Sequence, residues 1–93
     1  MNNYIEYNDK VAFHPGYYIN ELLDESGLTK EDFAIKLDIS PEDLSMLIRG
    51  ERGLSVDVAM KLSEMFGSSA DYWLNLQNAF DSLVAEFKME KIS

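Results

Sequence analysis

Residues 29–53, TKEDFAIKLDISPEDLSMLIRGERG, decide the fold of this chain. Thr29 and Asp32 stand as a capping box, with Asp in place of the usual Glu, so the hydroxyl can accept a first-turn N–H. Phe33, Ala34 and Leu37 then supply the buried face of a short helix. Asp38-Ile39 makes a turn whose first residue calls for a left-handed backbone, which Asp tolerates better than most residues. Ser40 caps the next helix, with Pro41 at its first position and Asp43 at the box position. Leu44, Leu47 and Ile48 face inward, and Gly50 is the left-handed terminator. A small residue, Ala34, falls where the two helices approach most closely, and Ile39 plugs the core. This set predicts a helix-turn-helix rather than a generic helical hairpin.

Working outward, His14-Pro15-Gly16 opens an earlier helix, because proline suits a first turn whose N–H has no intrahelical partner. Ile19, Leu22 and Leu23 form its apolar stripe and Gly27 stops it. Ser55 caps a helix with the stripe Val58, Ala59, Leu62 and Phe66, closed by Gly67. Ser68 or Ser69 starts a fifth helix running to about Lys88. Tyr4-Ile5-Glu6-Tyr7 alternates as a short strand would, and Asn8-Asp9 ends it. The expected fold is all-α: a compact five-helix bundle with a phage-repressor-like helix-turn-helix and a possible short N-terminal strand. Residues 1–12 are expected to be an arm, and 13–93 the domain with its long C-terminal helix at about 69–88.

The 93 residues suit one domain, and an apolar share of 46% is ordinary for a globular chain. Met1-Asn2-Asn3 lacks the basic start and apolar stretch of a signal peptide, so a cytoplasmic protein away from the membrane is expected. With no cysteine there is no disulfide, thiolate nucleophile or zinc-finger ligand set. Eight Lys+Arg against seventeen Asp+Glu give a net charge of −9. A chain this acidic has no general attraction to nucleic acid and is drawn to a basic partner.

From His14 to Asp81 the chain resembles the HigA-type antitoxins, a branch of the phage-repressor (Xre/Cro-like) helix-turn-helix proteins. The marks that carry the resemblance are His14-Pro15-Gly16, Leu37 to Ser40, Arg49-Gly50-Glu51-Arg52-Gly53-Leu54 and Tyr72-Trp73-Leu74-Asn75-Leu76-Gln77. The resemblance implies a dimeric five-helix antitoxin that sequesters a small basic RelE-like ribonuclease toxin and represses its own operon. It also implies that Ser40, Pro41, Glu42, Ser45, Met46 and Arg49 face the DNA groove, with Lys30 and Arg52 near phosphates.

That face departs from the family pattern, which favours Arg, Ser, Thr, Asn or Gln at several outward positions. Between Thr29 and Ser55 stand four basic residues (Lys30, Lys36, Arg49, Arg52) and six acidic ones (Glu31, Asp32, Asp38, Glu42, Asp43, Glu51), so 4 − 6 = −2. Glu42 and Asp43 suit the positive end of their own helix, by roughly 0.3–1 kcal/mol each. They also cancel that end's attraction for phosphate, although a Glu can accept from a cytosine amino group. Operator binding is therefore expected to be weakened.

Trp73, Leu76, Phe80, Leu83 and Phe87 are spaced 3, 4, 3, 4. Trp73 and Leu76 are read as packing on the bundle. Phe80, Leu83, Val84 and Phe87 are expected to pass beyond the domain and form a homodimer interface. His14, the one histidine, is read as a helix-entry residue. Without a nucleophile motif, metal-ligand spacing or phosphate-cradling loop, no enzyme and no cofactor is expected. The toxin-contacting residues stay unassigned. The alternatives are a stand-alone helix-turn-helix transcriptional regulator without a toxin, or a protein-binding module that has lost DNA binding.

Overall fold

A two-residue turn sets the first element. Asn8 and Asp9 both have positive φ, at 56° and 62°, the primed geometry whose twist matches that of paired strands. The turn joins β1 (Tyr4–Tyr7) to β2 (Lys10–Phe13) as an antiparallel hairpin, with Tyr4 opposite Phe13 and Tyr7 opposite Lys10. The computed structural model describes residues 3–92, with side chains to residue 90, so residues 1 and 2 of the expected arm and Ser93 lie outside it. Where the sequence suggests one brief strand, the chain forms two. Asn8-Asp9 is the turn between them rather than the end of pairing.

Five helices follow: α1 (Pro15–Ser26), α2 (Lys30–Leu37), α3 (Pro41–Ile48), α4 (Val56–Phe66) and α5 (Ala70–Ile92). Their caps are those expected. Thr29, Ser40 and Ser55 hydroxyls accept from the N–H groups of Asp32, Asp43 and Val58 at 3.1–3.2 Å. Of the two serines before α5, Ser69 accepts from the Tyr72 N–H, while Ser68 accepts from the Trp73 indole. The fifth helix runs four residues beyond Lys88.

Ile19, Phe33, Ala34, Leu37, Leu44, Leu47, Leu54, Val58, Ala59, Leu62 and Trp73 form one continuous core. Phe66, expected in the α4 stripe, sits at its edge, 38% exposed and stacked on Phe33 at 6.1 Å. Gly16 lets α1 lie directly on α3, since a Cβ there would stand 1.9 Å from the Leu47 carbonyl oxygen. The hairpin closes over the far half of α5. Lys10 pairs with Glu86 at 3.3 Å, and the Tyr7 ring meets Phe87 edge-on at 5.3 Å. The Tyr7 hydroxyl donates to Glu90, whose carboxylate is the main cause of a phenol pKa pushed up to about 12. No helix among the described residues is long and apolar enough to cross a membrane.

Candidate nucleic-acid interface

Local chemistry positions α3. Asp38 ends α2 in the left-handed region (φ 59°, ψ 41°), and its N–H bonds to Ile35 O while Ile39 N–H bonds to Ala34 O. These bonds satisfy the end of α2 as the chain reverses. Leu44 and Leu47 anchor the inner side of α3 in the core, which leaves Glu42 and Met46 exposed and Pro41 and Ser45 half-buried. At its far end Gly50 takes φ 75°, a conformation that disfavours any residue with a Cβ. The loop carrying Arg49 and Arg52 begins there.

That loop is held from three sides. The Asn3 side chain donates to the Ile48 carbonyl at 3.2 Å, and the Leu54 N–H donates to Gln77 Oε1 at 2.9 Å. Gln77 in turn donates to Asp81 at 2.8 Å. The buried ring of His14 accepts the Gly16 N–H at Nδ1 and hydrogen-bonds to the Arg52 backbone. Asn3 and Gln77 are supports that residue-type reasoning did not assign. Gln77 closes the Trp-Leu-Asn-Leu-Gln motif, so its position was visible while its partner, 23 residues upstream, was not.

All three cations expected on the DNA-facing surface are engaged within the chain. Arg52 pairs with Asp43 at 2.7 Å, and Arg49 with Glu51 at 3.1 Å. Lys30 donates to the Ser45 hydroxyl at 3.0 Å. The Arg49 guanidinium holds the Glu51 carboxyl below the usual carboxylate range. Ser40 uses its oxygen as the cap of α3, and Glu42 has no ion-pair partner among the described residues. Lys30 and Arg52 thus reach Ser45 and Asp43 of α3, while Arg49, at the end of that helix, is paired with Glu51. Exposed ion pairs of this kind are worth about 0–1 kcal/mol, so their guanidinium groups exchange partners at little cost.

One expectation needs correction. Phe80, Leu83, Val84 and Phe87 do not pass beyond the domain, because β1 and β2 pack along that part of α5. Leu83 is 5% exposed, Phe80 meets His14 edge-on at 5.0 Å, Phe87 meets Tyr7, and Val84 is half-buried. The heptad spacing records a seam within one chain, covered by the β1–β2 hairpin.

The capped α2–turn–α3 unit and its outward third helix define a helix-turn-helix protein. A helix-turn-helix family profile matches residues 19–73. The chain is 43% identical to the HTH-type transcriptional regulator YddM of Escherichia coli, over 83% of this chain and 84% of that one. It is 36% identical to virulence-associated protein I of Dichelobacter nodosus, over 92% and 81%. Among solved structures, the Pseudomonas aeruginosa antitoxin HigA with the higBA promoter superposes with a TM-score of 0.77 at 31% identity, covering 85% of this chain and 87% of that one. The chain belongs to the Xre/Cro-like helix-turn-helix family, in the branch that holds the HigA antitoxins. The relatives found are helix-turn-helix transcriptional regulators and antitoxins rather than enzymes.

Proposed function

We propose that the chain is the antitoxin of a toxin–antitoxin module. It binds and neutralises a basic RelE-like ribonuclease in the cytoplasm and, as a homodimer, represses its own operon through α3. The observation that carries operator binding is the set of three cations at α3, with Lys30 on Ser45, Arg52 on Asp43 and Arg49 at its end, in a fold shared with a HigA solved on its promoter. Each arginine is steadied by a carboxylate it can leave for a phosphate, which offers stronger, bidentate acceptance. The net charge of −9 supports the toxin half of the reading, since it complements a basic protein and repels an acidic one.

The test is retardation of the chain's own promoter fragment at low salt, together with co-purification of the product of the adjacent reading frame. Wild type should give sequence-specific complexes, and Arg49→Ala should weaken them at least tenfold. Retardation that ignores sequence, or an Arg49→Ala protein that binds as wild type does, counts against α3 as the reading helix. A second reading, a stand-alone transcriptional regulator, is favoured by the likeness to YddM. It gains the upper hand if the promoter is bound and no neighbouring basic protein co-purifies.

A further inference from the structure

Operator reading leaves Tyr72 unused. It stands on the first turn of α5, 50% exposed, touching Trp73 edge-on at 5.6 Å. With Tyr18, Phe66 and Trp73 it walls a cleft of about 370 Å³ where α1, the end of α4 and the start of α5 meet. Glu21 and Glu25, one turn apart on α1, add two carboxylates, and no basic residue lines the cleft. Glu21 accepts a hydrogen bond from the Tyr17 hydroxyl, which fixes its carboxylate in place. Aromatic faces and carboxylates attract the same kind of group, a cation on an apolar stem. The larger groove beside the helix-turn-helix, about 880 Å³, differs: it has no aromatic wall, and Arg52 and Lys61 line it among its acids.

We propose that the aromatic cleft receives an arginine or lysine side chain of the basic protein that this chain sequesters. The identity of that partner rests on the antitoxin reading; the chemistry rests on the cleft. An acidic chain and a basic partner are steered together by charge, and one long side chain seated among aromatic rings is a common form of binding hot spot. No residue of α2 or α3 lines the cleft. Capture there leaves α3 free, so the chain can hold partner and operator together.

Trp73 is the only tryptophan and walls the cleft, so its fluorescence reports occupancy. The experiment titrates the full chain with a blocked tetra-arginine peptide and with its uncharged citrulline counterpart. The arginine peptide should give a saturable change and the citrulline peptide none. Tyr72→Ala and the double change Glu21→Gln, Glu25→Gln should each weaken the arginine response at least tenfold. Both alter exposed side chains, and the melting temperature verifies that the variants are folded. In parallel, both should weaken the complex with the co-expressed neighbouring basic protein at least tenfold and leave promoter retardation unchanged. A flat arginine titration overturns the cleft as a cation site. If the neighbour binds wild type and variants alike, its docking here is overturned while the antitoxin reading stands. If it binds neither, the antitoxin reading falls with that docking, and the peptide titration alone decides the cleft.

Discussion

At the scale of single residues, His14 shows how one side chain links stability to the loop beside α3. Its ring is 1% exposed, caps α1 through Nδ1, bonds to the Arg52 backbone and meets Phe80 edge-on. Burial lowers its pKa, outweighing the Arg52 bond and the charge of Asp81, which both raise it. The folded state therefore favours the neutral ring more than the unfolded chain does, which takes up a proton near pH 6.5. Below that pH the unfolded state binds more protons, so this contribution is full above about 6.5 and is lost as pH falls toward the folded pKa. The loss is at most about 1.4 kcal/mol per pH unit, the limit for one proton. His14→Asn keeps a capping oxygen and removes the titration. Urea unfolding of wild type and variant at pH 7.5, 6.5 and 5.5 should show wild type losing ground relative to the variant on acidification. Taking the difference cancels the carboxylates common to both, and parallel stability curves would rule the linkage out.

Between elements, the contact that places α3 is the one it makes with α1. An added Cβ at Gly16 would stand 1.9 Å from Leu47 O and 2.8 Å from Leu47 C, both backbone atoms that cannot rotate away. Gly16→Ala must push the two helices apart, and overpacking of this kind costs about 1–3 kcal/mol, occasionally more. The midpoint of urea unfolding should fall accordingly, and a variant as stable as wild type would mean that α1 does not seat on α3 here. The helix-turn-helix itself was legible because its signals are local: Thr29, Asp38, Ser40, Pro41 and Gly50 each act within four residues. Gly16 could be read only as part of a helix start, since what forbids a side chain there is a carbonyl 31 positions later. The hairpin was half legible for a related reason. Tyr4–Tyr7 alternates between exposed and half-buried, whereas Lys10–Phe13 does not, and its pairing depends on a partner across the turn. The ion pairs of Arg49 and Arg52 were hidden too, because composition counts charges without saying which ones face each other.

Over the whole molecule, two electrostatic tendencies oppose each other. The chain as a whole repels DNA, with nine more acidic than basic groups, while three cations per chain touch α3 or stand at its end, Lys30, Arg52 and Arg49. Counterion release depends on the phosphates actually neutralised, so at most about three per chain contribute. The plot of log affinity against log salt should then have a slope of no more than about −2.7 per bound chain, from roughly 0.9 per phosphate. Arg52 is shared with Asp43 at 2.7 Å, so its contribution is partial. Asp43→Asn removes that competition and one negative charge, and it should raise operator affinity and steepen the slope by as much as about one unit. Fluorescence anisotropy on the promoter fragment from 50 to 300 mM salt measures both quantities for wild type and variant. If Asp43→Asn weakens binding instead, the carboxylate serves to aim Arg52 at its phosphate, and the acidic face is part of the reading surface rather than a brake on it.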